Sequence, residues 1–466
     1  MQTLEKNKVY IETYGCQMNL SDSEIVSSIL NDSGYSIVDN KEHADIILLN
    51  TCSVRENAER KIYEQLNHLK NNKKKNKDLL VGVIGCMAER LQSKLIEEKE
   101  IVDIVAGPDE YRRMPELIDS ALNGSKGIAV NLSNFETYDD IEPLRKEGIS
   151  AWLSIMRGCN NFCSYCVVPY TRGQERSRQF NSIINEILKL KEEGFKEIIM
   201  LGQNVNSYKD EETGSDFADL LSYAAKKAPK IRFRFMTSHP QDMSDKLITT
   251  MAEYKNICKH IHLPLQSGSN RILKLMNRKY TIEHYLNRVE KIRELMPESS
   301  ITTDIIAGYP SETLEDHQLT LDAIKQIRFD GAFMFKYSPR EGTKAFDLED
   351  DIPEEEKLRR LNEIITVQKF KSHELNKIEL GKRHLILIEG PSKRNPEQWQ
   401  GRTDTNKVVI FPYNGLHQKG DYIKVRIQKY TSATLMGEEV KRLRLNFNEN
   451  APPSTKEEHM EVENYL

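Results

Sequence analysis

Two rhythms of apolar and polar positions alternate along most of this chain: short, nearly continuous apolar runs, then longer stretches of helical period. Up to residue 125, VYIETYG (Val9–Gly15), ADIILLN (Ala44–Asn50), LLVGVIG (Leu79–Gly85) and IVDIVAG (Ile101–Gly107) read as strands. Helical patterns lie between them at Ser21–Gly34, at Glu56–Lys70 and from Tyr111 to Leu122. The first opens on polar capping residues and closes on Gly34. Apolar runs separated by helices predict a parallel, doubly wound sheet over residues 7–125. Residues 126–150 carry few periodic apolars and read as a linker.

The alternation resumes at Ala151. Strand-like runs are Ala151–Met156, Glu197–Leu201, Ile231–Met236, His260–Leu265, Ser300–Gly308 and Gly331–Tyr337. Helical patterns fall at Ser182–Glu193, Asp216–Lys227, Ser244–Glu253, Ile282–Leu295, Leu314–Ile327 and Glu354–Lys371. Six such units are too few to close an eightfold barrel of about 250 residues. A partial (β/α)6 barrel over 145–376 is expected, with its site on the carboxyl edge of the strands. Residues 377–445 change to short strands at Leu385–Gly390, Lys407–Phe411, Asp421–Tyr430 and Ala433–Val440, which suggests a small β-barrel. The polar, acidic stretch 446–466 reads as a disordered tail.

A chain of 466 residues implies two to four domains. Its formal net charge of −4 gives no bulk attraction for nucleic acid, so any RNA contact needs a local basic patch. Lys382, Arg383, Lys393, Arg394, Arg402 and Lys407, interspersed with Trp399, Phe411 and Tyr413, could form one. An ordinary solvated face explains the same charges equally well. No run approaches the length of a membrane span, and MQTLEKNKVYIETYG lacks the apolar core of a signal peptide. A cytoplasmic chain is therefore expected, in which seven cysteines are ligands or buried thiols rather than disulfides.

Three of them, Cys159, Cys163 and Cys166, stand in the spacing C-x3-C-x2-C. An odd number cannot pair off, and such closely set thiolates suit a soft metal centre. A zinc ion would want a fourth ligand, yet no His, Asp or Glu lies between them and the nearest downstream is Glu175. A [4Fe–4S] cluster on three cysteines, with one iron left open, fits better. Three more follow the first three strands: Cys16, Cys52 and Cys86. Parallel strands share one carboxyl edge, where ligands collect, so these residues should converge. Any one alone would read as a buried small hydrophobe. All three at strand ends favour a second metal site, and Cys258 remains as a buried apolar residue.

The C-x3-C-x2-C loop, with Tyr165 before its last cysteine, resembles the radical S-adenosylmethionine (SAM) superfamily. A three-Cys α/β part, this partial barrel and a short β-barrel, in that order, resemble the methylthiotransferase family within it. LIEGPSKR followed by GRTDTNKVVIF is similar to the family's TRAM domain. The segments ETYGCQMNLSDSE, NTCSVRENAERK and GCMAER are most similar to the branch that acts on prenylated adenosine in tRNA. Two other branches act on threonylcarbamoyladenosine or on a ribosomal-protein aspartate; their first-Cys segments lack the Gln17-Met18-Asn19 run.

The resemblance implies two [4Fe–4S] clusters, a SAM cluster on Cys159, Cys163 and Cys166 and an auxiliary one on Cys16, Cys52 and Cys86. It implies SAM contacts near Tyr165, Gly202 and Gln203, although LGQN stands here in place of the family's Gly-Gly-Glu-like stretch. Ser238, Gln266 and Asp304 are further candidates on the same edge, or else polar groups that stabilise turns. No catalytic side chain is implied beyond the cluster ligands. The implied reaction is methylthiolation of carbon 2 of N6-dimethylallyladenosine beside the anticodon. It uses two SAM and a sulfur carried on the auxiliary cluster. The implied partners are the tRNA anticodon stem-loop and a flavodoxin or ferredoxin, acting on a monomer. Outside the family, an electron-relay cluster for another radical reaction, or an RNA-binding protein with structural zinc, remain open.

Overall fold

A computed structural model describes residues 7–53, 56–145 and 148–440; the tail reading lies outside them. The first part is one sheet of β1 (Lys8–Tyr14), β2 (Ser36–Ile37), β3 (Ile46–Thr51), β4 (Leu80–Gly85), β5 (Ile104–Ala106) and β6 (Gly127–Ala129). Its order is β2-β1-β3-β4-β5-β6, and every pairing is parallel. All residues of β3 and β4 are buried, because helices cover both faces. The helices are α1 (Gln17–Asp32), α2 (Glu56–Lys75), α3 (Cys86–Leu91), α4 (Lys94–Glu98) and α5 (Met114–Leu122). Ile25, Val26 and Leu30 of α1 pack with Leu117 and Ile118 of α5 against Val9, Ile46 and Leu48. On the other face, Ile62, Leu66 and Leu69 of α2 pack with Met87 of α3 against Ile47, Leu49, Val81 and Val83.

The linker reading of 126–150 needs correction. It contains β6, and Tyr138 is buried, stacked 5.8 Å from Tyr111 and donating to the Pro108 carbonyl at 3.0 Å. A three-residue edge strand and a single anchoring aromatic are too short to show a period.

The second part runs through β7 (Ser150–Ser154), β8 (Met156–Arg157), α6 (Val168–Arg172), β9 (Arg176–Ser177), α7 (Phe180–Glu192), β10 (Glu197–Leu201), α8 (Phe217–Lys227), β11 (Arg232–Phe235) and α9 (Asp245–Glu253). It continues through β12 (His260–His262), α10 (Asn270–Leu275), α11 (Ile282–Leu295), β13 (Ser300–Ala307), α12 (Leu314–Ile327), β14 (Gly331–Lys336) and α13 (Glu354–Lys377). Strands β7, β10 and β11 form one parallel sheet and β12, β13 and β14 another, bridged in parallel at Phe233 and Ile257. The result is a half-barrel with an open inner face. Caps set several helix starts: Asp216, Ser244 and Thr313 each accept from the amide three residues on. Helix α13 extends six residues past its expected end at Lys371. Its last turns bury Gln368, Ser372 and Asn376, which bond the carbonyls of Phe329, Asp330 and Thr431, so they carry no apolar signal.

The third part is a closed barrel of β15 (Arg383–Pro391), β16 (Gln398–Arg402), β17 (Val408–Pro412), β18 (Tyr422–Tyr430) and β19 (Leu435–Glu439), in the order β15-β16-β17-β19-β18. The sequence reading missed β16, QWQGR, because it holds a single large apolar residue and a glycine. That glycine is required: a Cβ on Gly401 would lie 2.5 Å from the Leu387 carbonyl oxygen.

This barrel closes the floor of the half-barrel. Arg232 donates to the Arg402 carbonyl at 3.1 Å, and Arg234 to the carbonyls of Thr403 and Asp404 at 2.9 and 2.7 Å. Glu197 sits between the two guanidiniums, at 2.9 and 3.1 Å. Three members of the expected basic and aromatic patch are used internally. Phe411 is core, Lys407 reaches Asp330 and Asn376, and Arg402 pairs with Glu389. Arg383, Lys393 and Arg394 are exposed, and Trp399 stacks on Tyr413 with centroids 4.0 Å apart.

Candidate active site

At the carboxyl end of the first sheet the chain turns sharply after β1. A Cβ on Gly15 would lie 2.4 Å from Asn19 Oδ1 and 2.7 Å from the Cβ of Cys52, so glycine alone lets these strand ends meet. Cys16 then caps α1. Its amide and its Sγ both donate to Asn19 Oδ1, at 3.2 and 3.3 Å. Asn19 Nδ2 donates onward to Asn50 Oδ1, and Asn50 Nδ2 returns a bond to the Asn19 carbonyl. This buried amide pair fixes the end of β3 against the start of α1. Cys52 follows β3 and Cys86 opens α3, both buried.

The second cysteine loop is pinned independently. Gly158 has φ +77°, and a Cβ there would sit 1.9 Å from the Gln174 carbonyl oxygen. The Cys159 amide donates to Gly173, and the Cys166 amide to Cys163. Ser164 donates through its amide to Met276 and through Oγ to Leu275, while Asn277 Nδ2 holds the Phe162 carbonyl at 2.8 Å.

One side chain ties α6, which follows the second cysteine loop, to the first cysteine site. Arg172, at the end of α6, donates from Nε to Cys86 Sγ at 3.2 Å and from Nη2 to Asp22 at 2.6 Å. Asp22 of α1, fully buried, also accepts from Arg157 at 2.5 Å and from the Tyr111 hydroxyl at 3.2 Å. A second cross-domain pair, Arg176 with Asp109, lies at 2.9 Å. Met18, two residues past Cys16, packs on Ile199 and Leu201 of β10, with Trp152 and Met236 alongside. The leading cysteine of the first trio thus lies against the wall of the half-barrel.

The donor set fits iron–sulfur clusters. None of the seven cysteines, all among the described residues, is in a disulfide. Among the described residues no three His, Cys, Asp or Glu groups surround one point as the ligands of a single ion would. The cysteines of a four-iron cube stand farther apart, each on its own corner iron. Burial pushes the thiols of Cys86 and Cys159 up, and that of Cys166 up to about 12. Cys16 is drawn down to about 6, chiefly by its contact with Cys52 and helped by the Arg172 charge. Without a cation, burial resists holding three thiolates together in either place; a metal centre removes that resistance.

The strand ends of the half-barrel carry the remaining candidates. Gly202 follows β10, where a Cβ would meet Met156 at 2.4 Å. Gln203 Oε1 and Ser238 Oγ are buried without a partner, as are Asn204 Oδ1 and Ser154 Oγ, which the sequence reading did not name. Unsatisfied buried acceptors and hydroxyls on one edge suit a polar ligand such as SAM. Gln266, at φ +70°, bonds through its main chain to Asp304 and Ile306 and so shapes the turn. Asp304 lies half-exposed on β13, 3.4 Å from the His262 ring. Tyr165 packs on the cluster of Ile272, Met276, Tyr309, Tyr337 and Ala345. Phe333 and Phe335, 54% and 44% exposed, stand in register with Asp304 and Ile306 and share their face. Their alternation in GAFMFKY was the available signal. Two surface hollows of about 860 and 680 Å³ lie outside, on the helical layer, lined for example by Arg288 and Arg293 and by Arg359 and Glu363.

Cys258 is buried at the floor, where the Arg232 and Arg234 charges reach it, and belongs to neither trio. Cys258→Ser is expected to retain full iron and acid-labile sulfide on analysis of the reconstituted protein. Loss of iron would redraw the ligand sets.

Residues 8–107 match an uncharacterized protein family, UPF0004; residues 153–324 match the radical SAM superfamily, and 377–440 the TRAM domain. A tRNA-2-methylthio-N(6)-dimethylallyladenosine synthase of Chloroherpeton thalassium is 53% identical over 93% of this chain and 96% of its own. One of Bacteroides fragilis is 54% identical over 94% of this chain and 96% of its own. The chain belongs to the tRNA-2-methylthio-N(6)-dimethylallyladenosine synthase family of radical SAM methylthiotransferases. The three matched segments hold both cysteine sites and the C-terminal barrel. Solved structures that share the fold include the radical SAM methyltransferase TsrM from Kitasatospora setae. It aligns with TM-score 0.55 and 14% identity, over 73% of this chain and 77% of that one. The cobalamin-dependent radical enzyme OxsB aligns with TM-score 0.51 and 14% identity, over 79% of this chain and 56% of that one. Among the described residues no helix is long and apolar enough to cross a membrane.

Proposed function

We propose that this chain, like the relatives so named, methylthiolates carbon 2 of N6-dimethylallyladenosine next to the anticodon of tRNA. It uses two SAM and a sulfur carried on an auxiliary cluster. The observation that carries the reading is Arg172, which stands six residues past Cys166, at the end of α6, and bonds Cys86 of the other trio, so that the segment following one cysteine loop is tied to the other cysteine site. When bound, SAM and its cluster supply a radical able to take an unactivated hydrogen, and the second cluster supplies an iron that can hold sulfur.

The chain's own residues have distinct tasks. Cys159, Cys163 and Cys166 hold one cluster; Cys16, Cys52 and Cys86 hold the other. Gly202 keeps β10 close to Met156, and the unpartnered Gln203 and Ser238 orient SAM, with Tyr165 and Asp304 beside it. Met18, Trp152 and Met236 form an apolar wall that excludes water, which radical chemistry requires. The target base must leave its stack to enter. Exposed Lys393 and Arg394, in the turn that leads to the stacked Trp399–Tyr413 pair, and exposed Arg383 at the other end of β15 suit contacts to the tRNA backbone. The working division is 7–125, 145–376 and 377–445, in a cytoplasmic monomer served by a flavodoxin or ferredoxin.

Turnover on anticodon stem-loops carrying plain, prenylated or threonylcarbamoylated adenosine tests this. An apolar pocket gains about 0.8 kcal/mol per methylene-sized unit buried, so the prenyl group supplies roughly 2–3 kcal/mol of preference over plain adenosine. A preference of about 30-fold to 150-fold in kcat/KM is expected, taking about 1.4 kcal/mol per tenfold. Equal or better turnover of the threonylcarbamoylated RNA would move the chain to that neighbouring branch. Activity on a ribosomal-protein aspartate instead would remove tRNA from the reading.

A further inference from the structure

Each cysteine trio has one sulfur that accepts a hydrogen bond from a guanidinium. Arg172 reaches Cys86 at 3.2 Å, and Arg278 reaches Cys163 at 3.3 Å. Their settings differ. Arg172 is buried and carries Asp22 on its other nitrogen. Arg278 follows α10 in LMNRKYT, and its remaining donors go to neutral oxygens: the Pro264 carbonyl and the Tyr280 hydroxyl, each at 3.0 Å. Its guanidinium lies 5.0 Å from the Tyr280 ring centroid, and among the described residues its bonds go to Cys163, Pro264 and Tyr280, with no carboxylate paired to it. A partly buried cation without a carboxylate is costly to keep. Holding a carbonyl and a hydroxyl in place does not need that charge, since a neutral amide would serve. Something negative at Cys163 does need it.

We propose that Arg278 is a positioning residue for this reaction, whose hydrogen bond and charge at Cys163 Sγ raise the reduction potential of the cluster on the C-x3-C-x2-C loop. Three thiolates make that cluster net negative, and it gains one further negative charge when a one-electron carrier reduces it, the carrier being oxidised by one electron. A fixed guanidinium therefore favours the reduced form over the oxidised one. Hydrogen bonds to cluster and ligand sulfurs, with net charge and solvent exposure, are what set such potentials. The inference rests on the cluster reading above, and the experiment separates the two.

The full-length, anaerobically reconstituted protein without SAM is titrated with dithionite and mediators, and the reduced clusters are followed by electron paramagnetic resonance. The triple alanine variant at Cys16, Cys52 and Cys86 assigns the signal of the remaining cluster. Arg278→Gln is expected to keep its iron and lower the reduced-to-oxidised ratio at fixed potential at least tenfold, about 59 mV for a one-electron couple. Arg278→Lys, which keeps the charge, should recover most of the shift, and the signal of the other cluster should stay in place. An unchanged potential in Arg278→Gln overturns the proposal; if SAM affinity alone falls, Arg278 is a SAM contact. Should that variant lose iron at this loop, Arg278→Met replaces it, and iron loss in both overturns the proposal in favour of a structural role. A wild-type protein with no reducible cluster here would sink the cluster reading itself.

Discussion

Alanine at Cys16, Cys52 and Cys86 together is expected to abolish methylthio transfer while reductive SAM cleavage continues. The loop of Cys159, Cys163 and Cys166 is held by Gly158, Ser164 and Asn277, none of which depends on the first trio. The Arg172–Cys86 bond is lost in this variant, but Asp22 still anchors Arg172 and Arg157, and Arg176 still pairs with Asp109. Iron should fall by about half, from about eight to four per chain for two four-iron clusters. The reciprocal triple variant, at Cys159, Cys163 and Cys166, should lose the same share of iron and all SAM cleavage. Methylthiolated nucleoside and 5′-deoxyadenosine, quantified by mass spectrometry, give the two readouts. Normal methylthio transfer by the first variant would rule out its trio as the sulfur-holding site.

Asp22→Asn should destabilise the chain by about 3–5 kcal/mol, the range for breaking a buried ion pair by removing one partner. Asp22 is fully buried between Arg157 and Arg172, so the substitution strands two buried guanidiniums at once. Burial alone would push the Asp22 carboxyl up, yet the charges of Arg172 and Arg157 outweigh it and hold the group below the usual carboxylate range. A folded value below the unfolded one, about 3.9, means the stabilisation is whole above that pH. It is lost as pH falls from there through the folded value. Urea midpoints at unchanged slope measure the first effect, and acid unfolding of the two proteins the second. Equal midpoints at neutral pH would show that the pairing contributes nothing net.

What the sequence disclosed depended on how local each signal was. The cysteine spacings and the strand-end positions of Cys16, Cys52 and Cys86 are local, and both were readable. The linkage of Asp22 to Arg172 spans 150 positions and leaves no periodic trace. Orphaned acceptors such as Ser154 and Asn204 become visible only when their surroundings are built. Phe411 was assigned to a surface although β17 alternates, with Val409 and Phe411 inward; charge nearby outweighed a pattern that was present. Strand β16 failed for the opposite reason, since QWQGR has no alternation to read.

The floor of the half-barrel has a consequence for synthesis. Arg232, Arg234 and Glu197 leave the ribosome well before residues 402–404, whose carbonyls seat the two guanidiniums. Domains form in order of emergence, at about 5–20 residues per second. The nascent half-barrel, complete at Lys377, therefore waits, with its lower charges wet, for roughly three to twelve seconds until the last strand, ending at Glu439, closes beneath it. A ribosome that stalls before the end leaves a chain holding all six cysteines of the two trios over an unfinished base.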